Sequence, residues 1–185
     1  IEHGNKHEEN YLKILKDENK KNITINPNQP SLKKFEDTID ALKKGYDLIY
    51  KAYLRDGDFG GELDFLLKVK DKSALGDYSY EVYDTKITKN LKPKHVLQIT
   101  SYSYLLSKIQ GVMPSKMYLI DGSDKYNSYK VSEFIDYFLY SKKNFQEFLP
   151  KAKEANLYPE KCDYCNYCNW SNVCGKRWEE DNNLI

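Results

Sequence analysis

The residues whose types and spacing could do chemistry fall into two groups: Asp84-Thr85-Lys86 with Asp64 upstream of it, and four cysteines near the end of the chain. On a β-strand side chains alternate faces, so Tyr80, Val82, Asp84 and Lys86 line one side and Glu81, Tyr83 and Thr85 the other. Asp84 and Lys86 are then neighbours, and a carboxylate beside an ammonium can hold a divalent metal and steady an attacking water. A solvated charge pair on a surface strand has the same pattern. Leu63, Phe65, Leu67 and Val69 read as the apolar face of another strand. That leaves Asp64 on the opposite face with Leu66, a costly place for a carboxylate without a cation or hydrogen bonds. Gly60 and Gly61 just before it permit a bulge or a close backbone approach.

The cysteines are Cys162, Cys165, Cys168 and Cys174. In an intracellular chain such density signals a metal or cluster site rather than disulfides. Four thiolates allow either Zn²⁺ or an iron-sulfur cluster, with the spacing alone leaning towards Zn²⁺.

Both groups need elements to position them. Residues 5–18 have helical periodicity, with His7, Glu8, Tyr11, Leu12 and Leu15 recurring and His7 and Tyr11 on one face. The Asn/Lys-rich break containing Asn22, Pro27 and Pro30 reads as a loop, and Ser31 as the N-cap of a second helix that Gly45 stops. Strands are expected over residues 47–54, 61–69 and 79–86. Pro93 opens a third helix that runs to about residue 109 before Gly111, apolar nearly all round and therefore buried. Residues 116–121 and 126–131 form a hairpin around Asp121-Gly122, and Ser132 caps a last helix to about residue 148. Three adjacent strands followed by a strand-helix-strand passage require a crossover, which gives an α/β sandwich on a mixed sheet. Tyr158-Pro159 marks a boundary between a main domain, residues 1–157, and a cysteine-rich tail, residues 158–185.

With 185 residues, 40% of them hydrophobic, the chain can build one sizeable core with an appendage. No apolar run approaches the roughly 18 residues of a membrane span and no signal-peptide pattern opens the chain, so a soluble, cytoplasmic protein is expected. Ile1 in place of Met, with helical pattern almost at once, leads us to expect that the chain is a fragment of a larger protein. Basic residues number 29 against 28 acidic, a net charge of +1, which excludes an argument for nucleic-acid binding from bulk charge. Any phosphate-binding surface must be a local patch. The 17 tyrosines could stack on unpaired bases, although half-exposed packing is the commoner use.

Asp64 followed about one hairpin later by Asp84-Thr85-Lys86 resembles the PD-(D/E)XK nuclease superfamily, and its RecB-like branch in particular. That branch adds a helical histidine upstream, matched by Gly4-Asn5-Lys6-His7-Glu8, and a Gln-x3-Tyr on the following helix, matched by Gln98-Ile99-Thr100-Ser101-Tyr102. The run from Ser73-Ala74-Leu75-Gly76 through Tyr80-Glu81-Val82, and Ile109-Gln110-Gly111, are similar to bacterial RecB-like nucleases, some stand-alone and some fused to a helicase. The resemblance covers essentially the whole chain. It implies a restriction-endonuclease-like core, a mixed central sheet flanked by helices.

The resemblance also implies roles. Mg²⁺ or Mn²⁺ would be held by Asp64, Asp84 and the carbonyl of Thr85, with His7 adding an imidazole that favours Mn²⁺. Lys86 would orient and help deprotonate the attacking water, and Gln98 and Tyr102 would reach the same pocket to bond Lys86 or the substrate backbone. The implied reaction is hydrolysis of DNA, by an exonuclease on single strands or duplex ends, in repair, recombination or defence. Iron-sulfur members of the family, the AddB type and the exonucleases of CRISPR adaptation, end in a triplet matched by Cys165, Cys168 and Cys174. Cys162 or a cysteine upstream of the chain would be the fourth ligand. A 4Fe-4S cluster, with Zn²⁺ as the alternative, would then pin the tail onto the first helix of the core. The competing reading is a catalytically silent nucleic-acid-binding or scaffolding module of a helicase-nuclease assembly. The near-neutral charge favours it mildly, and the intact Asp64, Asp84 and Lys86 argue against it.

Overall fold

The computed structural model describes residues 2–152 and 157–183. In chain order the elements are α1 (Glu2–Glu18), β1 (Asn22–Thr24), α2 (Ser31–Lys43), β2 (Leu48–Asp56), β3 (Phe59–Val69), β4 (Ser79–Thr85), α3 (Pro93–Gln110), β5 (Lys116–Ile120), β6 (Tyr126–Lys130), α4 (Ile135–Phe148) and α5 (Ser171–Glu180). Short 3-10 helices occupy Val131–Glu133, Leu149–Lys151 and Asp163–Tyr167. Contacts divide the chain into two units, residues 1–141 and residues 142–185.

The first unit is an α/β structure around one mixed six-stranded sheet, whose spatial order is the chain order from β1 to β6. β1 is parallel to β2 and β4 is parallel to β5, while the other three neighbouring pairs are antiparallel. Each parallel pair needs a crossover, and α2 and α3 supply them. The larger apolar cluster joins Leu42 of α2 and Ile99, Leu105 and Leu106 of α3 to Ile49, Leu66, Tyr80, Val82 and Leu119 of the sheet. Tyr11 and Leu15 of α1 form a smaller one with Leu48, Phe65 and Ile120. Neighbours such as Leu48 and Ile49 belong to different clusters, as the two-residue period of a strand requires. Among the described residues no helix is long and apolar enough to cross a membrane.

One expectation about β3 is corrected. Leu63 packs with Leu66 in the larger cluster, and Phe65 with Leu67 in the smaller, so Leu63, Phe65, Leu67 and Val69 do not form one face. The cause is a break in the β2–β3 ladder, which pairs Tyr50 with Phe65 and Ala52 with Leu63 but omits Lys51 and Asp64 between them. Lys51 has a φ of 58°, in the left-handed region, and this inverts the alternation on both sides of the break. Other expectations are adjusted at element ends. Asn22–Thr24, expected as loop, is a strand held by β2. Ser31 is the first residue of α2 and makes no cap, Ser132 lies inside a 3-10 turn ahead of α4, and the tail carries α5.

Gln110, fully buried at the end of α3, closes a gap in the sheet. β5 begins pairing with β4 only at Val82. Upstream of that point the Gln110 carboxamide takes the place of a strand: Oε1 accepts the Tyr80 N–H at 2.9 Å and Nε2 donates to the Tyr80 carbonyl at 3.3 Å. Gly111 then ends the helix with a φ of 71°, suited to its lack of a Cβ. Replacing Gln110 by Ala strands a buried N–H and a buried C=O. We expect a loss of about 2–3 kcal/mol in urea unfolding, and an unchanged midpoint would contradict this role.

Candidate active site

The candidate site is assembled where β3, β4, α1 and the break in β2 meet. Asp64 ends one bond of the assembly: its Oδ2 accepts the Thr85 N–H at 2.9 Å and the Thr85 Oγ1–H at 2.8 Å. The carboxylate expected on a costly face is therefore satisfied by the strand that carries the second acid. Asp84 points to the side of β4 that also holds Tyr80 and Val82, and its side chain is 4% exposed. Lys86, one residue past the strand, is fixed by its N–H to the Ile120 carbonyl at 2.8 Å and pairs with Asp84 through Nζ. Asp84 Oδ2 is buried, and among the described residues the Lys86 ammonium is the partner it has.

Two further residues, Glu8 and Lys51, complete the cluster. Lys51 Nζ lies 2.5 Å from Glu8 Oε1 and 3.3 Å from Asp64 Oδ1. Burial alone would lower the Lys51 pKa, but Glu8 and Asp64 outweigh it and hold the ammonium above its usual value. The signal for Glu8 was present in the sequence, since Glu8, Tyr11 and Leu15 fall on one helical stripe and the latter two are buried. The signal for Lys51 was absent, because a strand pattern places it by alternation and the left-handed backbone does not obey alternation.

Gln98 and Tyr102 share a turn of α3, and Gln98 Nε2 donates to Tyr102 Oη at 3.1 Å. The Tyr102 ring lies against Gly61, where an added Cβ would stand 2.9 Å from Cε1, so the close backbone approach expected of this glycine is realised. Burial raises the Tyr102 pKa, and the nearby Asp84 and Asp64 charges add to that. His7 is directed to Asp124, with Nδ1 3.6 Å from Oδ1, and its buried Nε2 has no hydrogen-bond partner among the described residues. The structure thus gathers Asp64, Asp84, Thr85 and Lys86 around one centre with Glu8 and Lys51, and sets Tyr102 beside it.

Among the described residues no three His, Cys, Asp or Glu side chains gather into a set that could hold a metal ion. A hard divalent cation that keeps several of its waters needs only one or two carboxylates and substrate oxygens. Asp84, buried and balanced only in part by the Lys86 ammonium, fits that requirement beside Asp64.

In the second unit the 3-10 helix at Asp163–Tyr167 has three residues per turn, which brings Cys162 and Cys165 onto one side. Their Sγ atoms are 3.9 Å apart, and the Cys162 N–H donates to Cys165 Sγ at 3.3 Å. Thiolates sharing one tetrahedral zinc stand about 3.8 Å apart, given Zn–S bonds of about 2.3 Å. In a 4Fe-4S cubane each thiolate has its own iron. Cys168 ends the turn and Cys174 lies in α5. Trp178 Nε1 donates to the Pro159 carbonyl at 2.7 Å, tying α5 to the start of the tail.

No protein-family model and no curated protein matches the chain.

Burial first, and the Asp64 charge second, push the Asp84 carboxyl up to about 7 against the opposing pull of Lys86. The native state then holds this proton more tightly than the unfolded chain. Its stabilising effect is complete below the ordinary carboxylate range and is lost as pH rises to about 7. In chelator-treated protein, Asp84→Asn should therefore be more stable than wild type by about 1–3 kcal/mol near pH 7.5, with the gap closing towards about pH 4. Urea melts at the two pH values measure it, and an equal gap at both would refute the assignment.

Proposed function

We propose that the chain is a metal-dependent nuclease of the PD-(D/E)XK type, RecB-like, that hydrolyses DNA phosphodiester bonds at single strands or duplex ends. The observation that carries this reading is the pair of hydrogen bonds that Thr85 donates to one oxygen of Asp64, which joins the first acid to the Asp-Thr-Lys run as one unit with Lys86 against Asp84. The sheet supports it too: β3 antiparallel to β4, then α3 crossing over to a parallel β5, is the order that such a core requires.

Asp64 and Asp84 would hold a Mg²⁺ or Mn²⁺ ion, which when bound acidifies water and neutralises phosphate charge. Lys86 orients the attacking water and offsets the negative charge that grows on the phosphate oxygens. Thr85 locks Asp64 through its N–H and hydroxyl. Tyr102, with Gln98 bonded to it, presents a hydroxyl from α3 for the substrate backbone. Lys86, Lys89, Lys92 and Lys94 fall in a nine-residue run leading into α3, the local basic patch that the overall charge cannot provide. Burial lowers the pKa of His95, and the charges of Lys86, Lys94 and Lys92 lower it further, so these fields overlap at the start of α3.

With Mn²⁺ the protein should degrade labelled single-stranded DNA, and Asp84→Ala and Lys86→Ala should each reduce the rate by about 100-fold or more. DNA left intact by wild type, or cut equally by all three proteins, sinks the enzyme reading and leaves the scaffolding module.

The four cysteines are proposed to hold a metal group in the tail. The resemblance favours a 4Fe-4S cluster, and the Cys162–Cys165 spacing fits a single zinc. Anaerobically purified protein should carry metal that Cys165→Ser releases. Iron and sulfide with visible absorption identify the cluster, colourless protein with zinc identifies the single ion, and metal-free wild type excludes both.

A further inference from the structure

Lys51 sits in the middle of a nine-residue strand with a φ of 58°. A residue with a Cβ gains nothing from that conformation itself, which is strained, and it interrupts the ladder with β3. In return it delivers an ammonium to the space between Glu8 of α1 and Asp64 of β3. Nζ is 2.5 Å from Glu8 Oε1 and 3.3 Å from Asp64 Oδ1, and the three side chains are 22%, 13% and 15% exposed. The ammonium also lies 5.4 Å from the centre of the Tyr50 ring, on whose face it is further held.

Without this lysine two half-enclosed carboxylates from different elements would face each other next to Asp84. Asp64 would offer one oxygen to that space while its other oxygen stays on Thr85. A pair of carboxylates so placed is a site for a divalent cation, and beside the Asp84 centre it would be a second one. We propose that the Lys51 ammonium permanently fills this second cation subsite, so that the centre takes one divalent ion and not two. The inference rests on reading Asp64 and Asp84 as a cation site. A tethered ammonium supplies one positive charge and no Lewis acidity. The single exchangeable ion is thereby confined to the Asp84 side, where a buried carboxylate is balanced only in part by Lys86.

The test counts Mn²⁺ bound to the full chain, by calorimetry and by the loss of the free-ion electron paramagnetic resonance signal. Mn²⁺ seeks oxygen ligands and so counts the carboxylate centre in preference to the cysteines. Wild type should bind one ion, Lys51→Met two, and Lys51→Arg, which restores the cation, one. Adding Glu8→Gln to Lys51→Met should return the count to one. Should Lys51→Met fail to fold by circular dichroism, Lys51→Gln carries the same expectation. One ion in wild type and one in the folded Lys51→Met or Lys51→Gln overturns the role of Lys51 and leaves the cation site standing. Two ions in wild type also overturn it. No ion in wild type overturns the cation-site reading, and the role of Lys51 with it.

Discussion

The site depends on one shared carboxylate. Asp64 gives one oxygen to Thr85 and the other to Lys51, so it joins β4 to the break in β2 while standing on the strand between them. Bonds to an ionised acceptor are stronger than neutral ones and are expensive to leave unmade. Each partner of Asp64 is thus held in place by the cost of abandoning a half-buried charge. The irregular backbone at Lys51 belongs to the same bargain, because a regular ladder would carry that side chain to one of the two apolar faces.

Charge balance within the cluster is incomplete. Glu8, Asp64 and Asp84 carry three negative charges, and Lys51 and Lys86 carry two positive ones, which leaves one negative charge uncompensated when all are ionised. The deficit falls on the most buried member, Asp84, whose carboxyl is pushed up by burial and by Asp64 in spite of Lys86. A group of like charges in low dielectric either takes up a proton or recruits a cation. The near-zero net charge of the chain hides this, since the imbalance is local.

Much of the fold was legible because it follows from periodicity and punctuation. Pro93 opens α3 and Gly111 closes it, and the helix buries Val96, Ile99, Leu105 and Leu106 while Leu97 and Ile109 stay partly exposed. Asp84 and Lys86 are neighbours as alternation dictates, and Gly61 admits Tyr102. The rest failed where a tertiary partner overrides the local signal. β1 has three residues and exists because β2 offers it an edge, which no composition announces. The face of β3 was misread because the alternation changes phase at Lys51, and only the partner strand and Glu8 explain that change. Glu8 itself was legible as a member of the Tyr11–Leu15 stripe, but a first-turn acid also suits the helix dipole, and sequence alone does not separate the two.

The core and the candidate site share α3. Its C-terminal end stands in for a missing strand through Gln110 at Tyr80, and one face towards its N-terminal end carries Gln98 and Tyr102. The twelve positions between Gln98 and Gln110 span about 18 Å of rigid helix at 1.5 Å per residue. Between these two ends Ile99, Leu105 and Leu106 are buried against the sheet. The crossover that makes β4 parallel to β5 therefore also fixes how far Tyr102 reaches towards Asp84. Gln110 registers the helix to β4 at Tyr80 and Tyr102 registers it to β3 at Gly61. A shift of α3 along the sheet would break the Gln110 bonds and press Tyr102 off Gly61 together, which makes the position of the site a consequence of the packing of the core.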